Sequence, residues 1–148
     1  MASPKTIIRK KFRKLGVAEF VVHSDPDPDY NCVGFAVNEI PLRFWWPGKG
    51  VWPPGLPSDD TPQNFINAFR TFGYEPCDSF KLEADFEKIA LYVREDDGRA
   101  KHVARQLPDG RWISKLGQSW DIIHKTPFGL AGSEYGEPKL ALRRPRKP

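Results

Sequence analysis

Two turn signals constrain this chain more than any other feature. Asp96-Asp97-Gly98 and Pro108-Asp109-Gly110 separate three runs of mixed apolar and polar residues: 87–94 (Glu-Lys-Ile-Ala-Leu-Tyr-Val-Arg), 101–107 (Lys-His-Val-Ala-Arg-Gln-Leu) and 111–116 (Arg-Trp-Ile-Ser-Lys-Leu). Such runs bounded by Gly, Pro and Asp read as strands, and links this short join antiparallel neighbours. The expectation is an antiparallel meander. A three-residue hairpin loop at 108–110 would pair Leu107 with Arg111 and Ala104 with Ser114. Strand alternation puts His102, Ala104 and Gln106 on one face, with Ser114 diagonal to His102 on that face.

Upstream, Thr61-Pro62-Gln63-Asn64 is an N-cap followed by proline at the first helical position. Phe65, Ile66, Phe69 and Phe72 then recur at helical spacing up to Gly73. This predicts an amphipathic helix whose phenylalanine stripe faces the core. Val17 to Val22 reads as a short strand, and Lys139 to Leu142 as a last one. Cys77 sits in a turn-like context, Tyr74-Glu75-Pro76-Cys77, and reads as structural. The fold class is α+β.

The chain has 148 residues, enough for one domain with a core of its own, and supplies five Trp and ten Phe to fill it. The two cysteines, Cys32 and Cys77, make no disulfide framework, and no His/Cys spacing fits a zinc site. No metal or cofactor is expected. A reducing compartment, no membrane span and a cytoplasmic location are expected, because no apolar run approaches bilayer length and the N-terminus lacks a secretory apolar region. The net charge of +4 is unevenly placed: residues 1–14 carry +6 and 137–148 carry +4, so the middle carries −6. An acidic body argues against a nucleic-acid-binding face. The expected organisation is a basic tail or short amphipathic helix over 1–14, a single catalytic-type domain over 15–142 and a basic tail over 143–148.

The remaining chemistry centres on Asp29-Tyr30-Asn31-Cys32-Val33-Gly34-Phe35-Ala36. Proline-rich residues 25–29 end where an apolar segment reads as a helix start, with Asn31 as its cap. A thiol there meets unpaired backbone N–H groups and the positive end of the helix dipole, which lowers its pKa. A nucleophile needs a base, and three histidines compete: His23 in a loop, His124 in a short turn, and His102 in mid-strand beside the small Ala104. His102 is the candidate base. Ser114 is the candidate third residue, with Gln118, Asp121 and His124 as alternatives. The stretch 41–57, with Trp45, Trp46 and Trp52 among five prolines, cannot be helical and carries too much aromatic surface to be left in water. It reads either as a wall that binds an apolar substrate group or as a packed loop.

A helix starting with Cys, followed by a strand bearing His and a neighbouring strand with a polar residue, resembles the papain-like cysteine peptidase superfamily, including compact NlpC-type amidases. The fuller pattern joins Tyr30-Asn31-Cys32, Trp45-Trp46-Pro47, Trp52-Pro53-Pro54-Gly55, Gly73-Tyr74, His102-Val103-Ala104-Arg105-Gln106 and Trp112-Ile113-Ser114-Lys115-Leu116-Gly117. It resembles a family of small uncharacterised bacterial proteins. The resemblance implies a compact papain-like or NlpC-like single domain, its Cys-bearing helix packed on the meander. Cys32, His102 and Ser114 would be catalytic, and Asn31, Trp45, Trp46 and Trp52 would bind a peptide or amide-containing substrate. Such enzymes commonly carry Gln six residues before the nucleophile, where this chain has Pro26. The backbone N–H of Cys32, with the Asn31 or Tyr30 side chain, would then hold the oxyanion. A second reading, from a different class, is a non-catalytic domain that binds a partner protein through its Trp/Pro-rich loop. A third is an anion-binding accessory protein acting through its basic ends.

Overall fold

The structure is a computed structural model in which residues 3–16, 19–24, 55–57, 59–116 and 120–146 are described. The helix expected to start at Cys32 lies outside them, as do Asn31, Trp45, Trp46, Trp52 and Gln118. In chain order the described elements are α1 (Pro4–Lys11), β1 (Phe20–Ser24), α2 (Pro62–Arg70), β2 (Glu75–Cys77), β3 (Phe86–Val93), β4 (Ala100–Gln106), β5 (Trp112–Lys115), β6 (Asp121–His124), a 3-10 turn (Pro127–Leu130) and β7 (Glu137–Pro145). The fold is α+β, with seven strands among the described residues in one antiparallel sheet ordered β1-β6-β5-β4-β3-β7-β2.

The expected meander is β3-β4-β5, and it continues into β6. Arg105 pairs with Ile113 and Gln106 with Trp112, and the Leu107 N–H donates to the Arg111 carbonyl at 2.7 Å. Extended one residue, this register sets Ala104 opposite Ser114. Asp121 to His124, expected to lie in the tail and a short turn, is instead a strand that carries His124 opposite Trp112. β7 returns beside β3 rather than at an edge, with Ala90 opposite Ala141. β3 therefore lies between β4 and β7 and alternates between two cores. Ile89, Leu91 and Val93 pack under α2 with Phe65, Phe69 and Tyr74, while Ala90 and Tyr92 pack under α1 with Ile8, Phe12, Trp112 and Ile122.

Both helices begin as their sequences demand. Thr61 Oγ1 accepts from the Asn64 N–H and Pro62 opens α2; Ser3 Oγ accepts from the Thr6 N–H and Pro4 opens α1. Of the two forms expected for residues 1–14, the helix is the one present, held by buried Ile8, Phe12 and Leu15 with its cations outward. The basic C-terminal tail expected from residue 143 is corrected: Arg143 and Arg144 belong to β7. Acidic and aromatic partners hold them there. Arg143 pairs with Glu83 at 2.6 Å and lies over the Phe86 ring, while Arg144 pairs with Glu87 at 2.8 Å and lies over Tyr74. Glu83 also takes the fully buried Lys88 ammonium at 2.6 Å, and that ion pair holds the Glu83 carboxyl below its usual range.

Register shifts occur on both sides of Tyr92, where β4 and β7 each insert one extra residue. Pro138, which cannot donate to a ladder, sits at the β7 shift. Two residues before it, Gly136 has φ +77, and a Cβ there would overlap the Val93 carbonyl oxygen and lie 2.5 Å from Arg94 Cα. Gly98 has a similar φ of +67 but open space around it. Gly98→Ala is therefore expected to cost about 1 kcal/mol, from φ alone. Gly136→Ala should cost about 3 kcal/mol or more, because backbone must move as well. Urea unfolding of the two variants checks this, and equal losses would contradict it.

Candidate functional site

The sheet face under α1 gathers the polar residues singled out in the sequence. His102 on β4 pairs with Tyr92 on β3, and its ring stands edge-on to the Tyr92 ring at 5.1 Å. Tyr135, from the segment before β7, stacks on a face of the imidazole at 4.1 Å and 1°, and its ring also meets that of Tyr92 at 6.2 Å. Tyr135 in turn meets Phe12 at 5.0 Å, which links the stack to the segment just past α1. The Tyr92 hydroxyl donates to the Pro127 carbonyl at 2.5 Å, and burial raises its phenol pKa well above normal. His102 is 0% exposed, and neither ring nitrogen has a hydrogen-bond partner among the described residues. Burial pushes its pKa well below the usual 6.5, and repulsion from a charge on nearby His124 adds to this. The ring is a neutral imidazole fixed by stacking.

Ser114 shares the face, as the register predicts, but its hydroxyl is committed elsewhere. Its Oγ lies 2.7 Å from His124 Nε2, and His124 Nδ1 lies 2.8 Å from the Thr126 carbonyl. A carbonyl only accepts, so Nδ1 carries the proton, Nε2 is the acceptor and the Ser114 O–H donates to it. Burial holds the His124 pKa down to about 4, opposed in part by the bond to Thr126. The expectation that Ser114 orients His102 is thus corrected: it serves His124, and aromatic stacking holds His102. Hydroxyl, imidazole and carbonyl form a nucleophile-base-orienter chain in outline, yet both ring nitrogens of His124 are already partnered within it. The chain satisfies a polar layer that ties β5 to β6 and to the 3-10 turn.

The other candidates are dispersed. Asp121 is buried at the start of β6, opposite Lys115. His23 is exposed on β1, the edge strand. Cys77 is a free, half-buried thiol on β2 whose Sγ lies 3.6 Å from the Ser79 carbonyl, in keeping with a structural reading. Among the described residues no group of three His, Cys, Asp or Glu could hold a metal ion, and no helix is long and apolar enough to cross a membrane. The Ser114–His124 pair was legible in principle. Ile122 and His124 share one parity, and a hairpin between β5 and β6 brings His124 diagonal to Ser114.

Both imidazoles are neutral in the folded chain, whereas the unfolded chain protonates them below about pH 6.5. Stability is therefore full above that pH and lost as pH falls toward the folded values. For His124, the interval from 6.5 to about 4 corresponds to about 3 kcal/mol. Urea unfolding between pH 7 and 4.5 should show stability falling with the slope of about two protons, and of about one proton in His102→Phe. A flat profile over this range would contradict the assignment.

No curated protein matches the chain, and no solved structure does. One family model, described as a domain of unknown function (DUF7689), matches residues 21–143. That span runs from β1 into β7 and takes in Cys32, His102, Ser114 and His124. By that match, the chain belongs to the DUF7689 family.

Proposed function

We propose that the chain is a cysteine-dependent acyl-transfer enzyme, an amidase or peptidase of papain-like or NlpC-type build, with Cys32 as nucleophile and His102 as base. The observation that carries the reading is the state of His102. A buried polar group without a partner costs about 1–3 kcal/mol, and natural cores leave few such groups. A phenylalanine would fill the same aromatic stack at no such cost, so an imidazole kept there points to chemistry rather than packing. Held neutral, it keeps one lone pair that no other group occupies among the described residues.

The proposed reaction runs in two halves. As the Cys32 sulfur attacks the carbonyl carbon of an amide or ester, its proton passes to the free nitrogen of His102. The carbonyl electron pair moves to oxygen and returns as the C–N or C–O bond breaks. His102 gives its proton to the leaving group, and water then cleaves the thioester with His102 again as base. The backbone N–H of Cys32 would receive the oxyanion, and Asn31, Trp45, Trp46 and Trp52 would bind the substrate. Because the site disfavours imidazolium, proton transfer accompanies attack instead of preceding it in a resting thiolate-imidazolium pair. A reducing, cytoplasmic setting suits the free thiol.

Acetylation by p-nitrophenyl acetate, followed by intact mass and peptide mapping, tests the assignment. The expected result is one acetyl group on Cys32, formed about 100-fold more slowly in His102→Phe and unchanged in Cys77→Ser. At pH 7 the His102→Phe protein should be no less stable than wild type, since it loses no hydrogen bond. Equal acetylation of wild type and His102→Phe would overturn the reading.

A further inference from the structure

On the flank of the same face, an open groove of about 530 Å³ runs between the segment before β3 and the 3-10 turn. Its floor is aromatic. Phe80 stands edge-on to both Trp112 and Phe128, each at 5.9 Å. Phe128 is 53% exposed and Leu82 45%, the first and third highest exposures among the large apolar side chains of the described residues. Two such residues side by side on one groove make a patch rather than scattered apolar surface.

Two further observations give the groove a chemistry. Gln106 lines it and is only 7% exposed; its Nε2 donates to the Phe80 carbonyl at 3.0 Å, but its buried Oε1 has no partner among the described residues. The bond from Nε2 fixes the Gln106 side chain beneath the aromatic floor. Lys81 and Lys125 stand exposed on the rim, and neither ammonium has an ion-pair partner among the described residues, whereas Asp78 is the rim's one acidic side chain. An aromatic floor and a cationic rim complement an aromatic group flanked by negative charge.

We propose that this groove docks an extended acidic segment of a partner polypeptide, seating an aromatic side chain on Phe80, Trp112 and Phe128 and placing carboxylates against Lys81 and Lys125. The surface is independent of the Cys32–His102 chemistry, since none of its residues takes part in that chemistry. Peptide binding by open, rigid grooves draws its affinity from a few aromatic anchors, and rim charges set its salt dependence.

The test uses the full chain and fluorescein-labelled pentapeptides with two acidic residues on either side of a central Trp, Phe, Leu or Ala, read by fluorescence anisotropy. The expected order is Trp and Phe above Leu, and Leu above Ala. Phe128→Ala should weaken the Trp peptide about tenfold or more. Lys81→Glu with Lys125→Glu should weaken it about tenfold at low salt and far less at high salt. These three side chains are exposed, so the variants keep the fold, and Cys32→Ala should bind as wild type whether or not Cys32 is a nucleophile. Absence of binding by every peptide, or binding indifferent to Phe128→Ala and to the central residue, would overturn the proposal.

Discussion

Strand β3 alternates into two separate cores, so neither of its faces can be left to water. Ile89, Leu91 and Val93 require α2 on one side, and Ala90 and Tyr92 require α1 and the 3-10 turn on the other. The neighbouring strands inherit this demand. Of the strands that flank β3, β4 follows it directly and β7 returns from the far end of the described chain, where its last arginines are held in place by Glu83 and Glu87. A layer sealed on both sides is also a layer of low dielectric, and that governs every polar side chain placed in it.

The α1 face contains two histidines, and the fold treats them differently. His124 is provided for: one nitrogen accepts from Ser114 and the other donates to the Thr126 carbonyl, so its burial costs little in lost hydrogen bonding. His102, one strand beyond Ser114, has ring contacts with Tyr92 and Tyr135 and no hydrogen bond among the described residues. Both are neutral for the same reason, desolvation, but only His102 is left with a vacant lone pair. That contrast within one face is why we propose a proton-transfer role for His102 and not for His124.

Much of this was legible in the sequence. The Pro108-Asp109-Gly110 turn fixes the β4–β5 register because a three-residue hairpin loop admits only one, and Thr61-Pro62 with the phenylalanine spacing fixes α2. The partner of Ser114 was not legible from that register alone. A diagonal neighbour on either side can claim a hydroxyl, and the choice depends on β6, a four-residue strand whose sequence Asp-Ile-Ile-His carries little strand signal. The place of residues 143–145 was hidden for a different reason. A run of arginines suggests a solvated tail until the carboxylates and rings that receive it are brought near by β3 and α2, contacts some 60 residues away in the chain. The aromatic groove was likewise invisible, since Phe80, Trp112 and Phe128 come from three separate segments.

The protonation state of His102 is the point on which the chemistry rests, and imidazole NMR read residue by residue measures it directly. A pH titration of the 15N and 13Cε1 resonances should show His102 with a midpoint well below 6.5, and His124 as the Nδ1–H tautomer with a midpoint of about 4. A His102 midpoint at or above 6.5 would mean that the imidazole is solvated or paired, and would contradict the account of it as a buried, unpartnered base.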